Sequence, residues 1–206
     1  MPKQVDHEAR RRLIAEALWR IASTRGLEGA SLRDVAAEAG ISLGQLQHYF
    51  TSKEEMLAFA LDHISALAEQ RVRSRVQAVS ETPEPRTVVR ETLAEMLPLD
   101  DKSRTGNLVQ IAYFVRAVHS ESARGHAKKG VPGLRRFLAD QLARAAADGT
   151  PHRHPNRHPD RHPDPDEAAM LLIALVDGLT TYTLLDVLAP DEALKLLDRQ
   201  LDLFFA

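Results

Sequence analysis

Between Ser31 and Glu55 the chain reads Ser31-Leu32-Arg33-Asp34-Val35-Ala36-Ala37-Glu38-Ala39-Gly40-Ile41-Ser42-Leu43-Gly44-Gln45-Leu46-Gln47-His48-Tyr49-Phe50-Thr51-Ser52-Lys53-Glu54-Glu55. Ser31 with Asp34 three residues on resembles a capping box, with Asp in the glutamate slot. It opens a helix of about eight residues that Gly40 can close in the left-handed conformation. Ser42 can cap a second short helix from Leu43 to Phe50, and Ser52 with Glu55 forms a full capping box for a third. Helix, glycine, two-residue turn, helix is the pattern of a helix-turn-helix, whose second helix enters the DNA major groove. Ala36 is small where the two helices must nearly touch, and Val35, Ile41 and Leu46 fill the wedge between them. A rotation of about 100° per residue puts Leu43, Leu46 and Phe50 on the inner side of the second helix. Gly44, Gln45 and His48 then point outward, flanked by Gln47 and Tyr49.

That outward face carries groups suited to DNA. A glutamine can pair with adenine N6 and N7, and a glycine lets the helix backbone approach the groove wall. Gln45, with Gln47 and His48, is the expected reader of base edges. Ser31, Arg33, Ser42, His48, Tyr49 and Lys53 suit phosphate oxygens, which fix register rather than sequence.

Outward from this stretch, apolar residues recur at three and four rather than at two, so the chain reads as all-α with about nine helices. One helix precedes the motif, from about His7 to Arg25, with Leu13, Ala17 and Ile21 on one stripe, Ile14 and Leu18 beside it, and Gly26 closing it. Trp19 is expected in or near the core of this N-terminal head. After the motif a long helix runs to Ser80, where Pro83 and Pro85 break it. Three helices follow at about Arg86 to Met96, Lys102 to Glu121 and Gly133 to Asp148, then two apolar ones at about Asp166 to Leu188 and Asp191 to Phe205. The organisation expected is a three-helix DNA-binding head over residues 1–52 and a helical body over 53–206. Residues 149–165 form a Pro-rich insert in which Arg-His-Pro recurs every four residues.

The chain has 206 residues, a formal net charge of −2 and no cysteine. The missing thiols exclude disulfides, thiolate zinc sites and a cysteine nucleophile, and fit a reducing compartment. Residues 1–53 carry eight Lys/Arg against six acids, a basic head on an acidic body. No apolar stretch reads as a signal peptide, and the longest uncharged apolar run, Ala168 to Val176, is too short to span a bilayer. A cytoplasmic protein without membrane contact is expected.

Residues 29 onward, Gly-Ala-Ser-Leu-Arg-Asp-Val-Ala-Ala-Glu-Ala-Gly-Ile-Ser-Leu-Gly-Gln-Leu-Gln-His-Tyr-Phe-Thr-Ser-Lys-Glu-Glu-Met-Leu, resemble the DNA-binding head of the tetracycline-repressor (TetR) family. The resemblance covers about the first 60 residues in detail and the rest in architecture. It implies a homodimeric transcriptional regulator, usually a repressor released from a palindromic operator by a small-molecule effector that shifts the fourth helix. An activator or a corepressor-dependent regulator of the same fold shares these features; a helical enzyme would need a catalytic cluster that the sequence does not offer.

Three other patterns compete for attention. Gly40-Ile41-Ser42-Leu43-Gly44 matches the GxSxG form of a hydrolase nucleophile elbow, but that elbow needs a strand before the serine. Gly125 to Gly130 has P-loop glycine spacing without the Lys and Ser/Thr that must follow. His152, His154, His158 and His162 lie close in sequence, yet a proline-rich segment holds imidazoles apart, so neither metal nor other cofactor is expected. In the body, Asn107, Gln110, Tyr113, Arg116 and His119 recur at three-residue steps and, with Asp177 and Tyr182, are the candidate effector-pocket residues. Leu171, Leu175, Gly178 and Leu179, with Leu194, Leu197, Leu201 and Phe204, are the candidate dimer interface, an isologous four-helix bundle.

Overall fold

The computed structural model describes residues 7–26, 31–147 and 164–205. The described residues form nine α-helices and no strand: α1 (His7–Arg25), α2 (Leu32–Glu38), α3 (Leu43–Tyr49), α4 (Lys53–Val79), α5 (Pro85–Glu95), α6 (Asp101–His119), α7 (Glu121–Ala147), α8 (Pro165–Leu184) and α9 (Pro190–Phe205). The His/Pro-rich insert expected over 149–165 lies almost wholly outside the described residues. They resume at Asp164, which caps α8 by accepting from the Asp166 amide.

The chain packs as two compact units. One comprises residues 1–67 and 105–127, the other 68–104 and 128–206. The division expected at residue 52 therefore falls inside the first unit, because Met56, Leu57, Ala60 and Leu61 of α4 and Val109, Tyr113 and Ala117 of α6 share one core with α1–α3. A three-helix head is small, and these side chains enlarge its core.

In the first unit Ile14, Leu18 and Ile21 of α1 meet Val35, Leu46 and Phe50 of the motif. Burying each such side chain contributes roughly 1.5–3 kcal/mol. Arg20 ties α1 to α2 from outside, donating to Glu38 Oε1 at 2.7 Å and to the Glu38 carbonyl at 3.3 Å.

In the second unit α5, α8 and α9 enclose Val89, Leu93, Leu97, Leu172, Val176, Leu197 and Leu201. Arg90 clasps Asp198 with two nitrogens, at 2.6 and 3.1 Å, and Arg75 bridges Glu91 and Glu95. The α8 helix is long and apolar enough to cross a membrane by length and composition alone. Its apolarity is accounted for by the core it fills with Ala168, Ala169, Leu172, Ile173 and Val176.

Two helix boundaries differ from expectation. The α7 helix begins at Glu121 rather than Gly133 and runs through Pro132; the glycines and proline of 121–133, poor helix formers, do not interrupt it. The α8 helix stops at Leu184 because Asp186 adopts a φ of 56°, with the Asp186 amide donating to the Thr183 carbonyl and Val187 to Tyr182. This is a Schellman termination with aspartate in the usual glycine position, an identity that hides it in the sequence.

Candidate nucleic-acid interface

The motif forms as its residues dictate. Ser31 accepts from the Asp34 amide at 3.3 Å, and the Asp34 carboxylate accepts from the Ser31 amide at 2.8 Å. The chain leaves α2 through Gly40 at φ +67°, where the Gly40 and Ile41 amides donate to the Ala37 and Ala36 carbonyls. Ser42 then caps α3, accepting from the Gln45 amide at 3.1 Å, while Gln45 Oε1 accepts from the Ser42 amide at 2.9 Å. Both helices thus begin in reciprocal capping boxes. The Ser42 hydroxyl oxygen accepts in the helix cap, and the element before it is a helix rather than a strand, so the hydrolase-elbow pattern has no structural counterpart.

Buried Leu46 and Phe50 anchor α3 from below. Gly44, Gln45, Gln47 and His48 are exposed above, and Tyr49 is half-buried. A Cβ at Gly44 would meet nothing closer than Ser42 Oγ at 4.0 Å, so packing inside the protein does not require glycine there. Ser42, Gly44, Gln45, His48 and Tyr49 line a concavity of about 500 Å³ together with Ile41 and with Arg10 of α1. The His7 ring of α1 packs against two of these lining residues, 5.9 Å from His48 and 5.4 Å from Tyr49. Sequence reading missed Arg10 and His7; the run of three arginines at 10–12 was their signal, but only tertiary packing tells which of the three faces α3.

Ser31 and Arg33 are exposed at the start of α2. Lys53 opens α4 half-buried, beside Arg116 and Asp34, with its ammonium held below the ordinary lysine range mainly by burial and then by Arg116. Arg116 in turn pairs with Glu54. Glu55 is held below the ordinary carboxylate range by the Thr51 amide, 2.8 Å from Oε2, so the outer half of the α4 capping box reaches Thr51 rather than Ser52. The inner half is as expected, with the Glu55 amide donating to Ser52 Oγ at 3.1 Å.

The polar strip of α6 does not share one face. Three-residue steps advance 300°, so each residue falls back about 60° from the last. Asn107 and Tyr113 are accordingly buried, Gln110 and Arg116 half-buried, and His119 exposed. Burial, together with Asp62, pushes the Tyr113 phenol up. Asp177 and Tyr182, on α8 in the second unit, are exposed.

The candidate interface residues divide in the same way. Leu179, Leu197, Leu201 and Phe204 lie within the second unit's own core, whereas Leu171 is 64% exposed and Leu175, Gly178 and Leu194 are half-buried. The apolar stripe left open on α8 is Leu171, Gly178, Tyr182 and Leu185, at spacings of seven, four and three.

A capped helix-turn-helix with a polar, exposed reading edge defines a DNA-binding transcriptional regulator. Residues 14–59 match the model for bacterial regulatory proteins of the tetR family, and residues 85–206 match that for the C-terminal part of BetI-type transcriptional repressors. The chain belongs to the TetR family of transcriptional regulators, which are not enzymes. It is 36% identical over 192 residues to the regulator PksA of Bacillus subtilis strain 168, covering 90% of this chain and 84% of PksA. A transcriptional regulator from Rhodococcus sp. Rha1 superposes with a TM-score of 0.75 at 31% identity, over 94% of this chain and 95% of that one. A Saccharomonospora viridis protein solved in complex with choline superposes with a TM-score of 0.77 at 22% identity, over 93% and 95% of the two chains.

Proposed function

We propose that this regulator is a homodimeric repressor, working in the cytoplasm on a palindromic operator and released from it by a small-molecule effector. The observation that carries the reading is α3: a helix fastened at its start by Ser42 and anchored by Leu46 and Phe50, with Gly44, Gln45, Gln47 and His48 left exposed. Gln45 would read base edges with Gln47 and His48, while Ser31, Arg33, Ser42, Tyr49 and Lys53 would hold phosphates. The repressor sense is supported by the BetI-type match over 85–206.

Self-association is supported by the open apolar stripe of α8, since contiguous exposed apolar surface on a folded chain marks an interaction site. Two copies placing that stripe face to face would present two heads, and two-fold symmetry then demands an inverted repeat. A small-molecule effector is supported by the choline held by the Saccharomonospora viridis neighbour. On this chain, Asn107 is the expected pocket residue whose amide side chain is buried within α6. Titration of the purified protein against its operator duplex, with candidate effectors added, tests this: a repressor of this kind binds without ligand and dissociates with it. Binding that requires ligand would make it a corepressor-dependent regulator instead.

A further inference from the structure

We infer that α1 is a further DNA-contacting element, in which Arg10 holds a backbone phosphate of the strand running beside the half-site. The inference extends the DNA-binding reading of α2–α3 and rests on it.

The three consecutive arginines of α1 have different fates. Arg11 is engaged within the protein: its guanidinium lies 4.8 Å from the Phe50 ring centroid and 4.3 Å from that of Phe59, and it pairs with Glu55 at 3.6 Å. Arg12 has an interaction of its own. Arg10 is exposed and has neither an ion pair nor a hydrogen bond among the described residues. It is nevertheless not an isolated surface cation, because it forms one side of the concavity whose other side is Ser42, Gly44, Gln45, His48 and Tyr49.

A cleft with a guanidinium unpaired among the described residues on one side and the reading edge of a recognition helix on the other suits an elongated anion with hydrogen-bonding edges. A single sugar–phosphate strand meets both requirements. When α3 enters the major groove, the groove's bordering strand is what a wall alongside α3 meets. The guanidinium can engage two phosphate oxygens at once. His7, packed against both His48 and Tyr49, fixes the spacing of the two sides. Among the described residues, no carboxylate lines the concavity.

The test uses the full chain and an operator duplex selected from random sequence, titrated from low to moderate salt. Each phosphate contact contributes about 0.9 to the slope of log affinity against log salt on duplex DNA. Arg10→Ala should lower that slope by about 0.9 per head and weaken binding to every duplex alike, with base preferences and melting temperature unchanged; Arg10→Lys should recover most of the slope. An Arg10→Ala protein that melts like wild type and keeps its affinity and salt slope overturns the inference while leaving the α3 reading intact. A changed base preference in Arg10→Ala also overturns it, since Arg10 would then be reading a base. A wild-type chain that binds no duplex at any salt overturns the DNA-binding reading and this inference with it.

Discussion

Gln45 and Ser42 hold each other at the start of α3, the Ser42 amide donating to Gln45 Oε1 at 2.9 Å and the Gln45 amide donating to Ser42 Oγ at 3.1 Å. The residue best placed to read a base therefore also fastens the helix that presents it. The two roles can be separated, since Gln45 Oε1 serves the cap and its Nε2 donor remains for DNA. Gln45→Ala removes both and should lower stability by about 1 kcal/mol, the usual net worth of a hydrogen bond. Gln45→Glu keeps an acceptor for the Ser42 amide and should melt like wild type. Thermal denaturation of the two variants checks the division, and equal losses in both would contradict it.

Gly40 and Gly44 stand four residues apart for opposite reasons. Gly40 sits at φ +67°, so Gly40→Ala should cost about 1–2 kcal/mol from the left-handed strain alone. Gly44 is helical with open space around it, so Gly44→Ala should gain roughly 0.5–1 kcal/mol in stability and still weaken DNA binding by its bulk. Denaturant midpoints and a duplex titration of the pair decide it; a Gly44→Ala protein with full DNA affinity would show that no groove wall comes close there.

Glu55 supplies a pH dependence with a definite sign. Its carboxyl is held below the ordinary range in the folded chain by the Thr51 amide. A carboxyl whose folded pKa is depressed adds stability above its unfolded value, about 4.3, and loses it as pH falls through the folded value. Wild type should therefore exceed Glu55→Gln in stability at pH 7, with the gap closing below about pH 4. Urea unfolding at pH 7 and pH 3.5 measures the gap, and a constant difference would remove the assigned cause.

Leucines of α8 and α9 separate self-association from folding. Leu171→Arg with Leu185→Arg alters only exposed positions and should leave the chain folded but monomeric in sedimentation. Leu197→Ala opens a cavity in the second unit and should cost about 2–5 kcal/mol. Dimers persisting in the double-arginine variant would place the interface elsewhere.

The head was legible from its sequence because its signals are local. Capping boxes, Gly26, Gly40 and the apolar triplet Leu43, Leu46 and Phe50 act within one or two turns, and α1 and α2 fall at their expected positions. What escaped reading depends on distant partners. The early start of α7 runs against local propensity, and Asp186 performs a glycine's task. A three-residue repeat in α6 resembled one face although its members spiral around the helix. Periodicity finds the buried side of α9 without telling whether its cover is α5 and α8 of the same chain or a second copy. Arg10 looked no different from Arg11 and Arg12 until α3 was packed beside it.

The most direct test of the central claim, that α3 reads DNA through Gln45 in a symmetric dimer, is selection of the full chain on random duplex DNA at moderate salt, run in parallel with Gln45→Glu. The account predicts an inverted repeat for wild type and, for the variant, one symmetric pair of positions with altered or blurred base preference at about 1–3 kcal/mol each. A wild type that enriches no sequence, or a variant that enriches the same repeat with the same preferences, would contradict it.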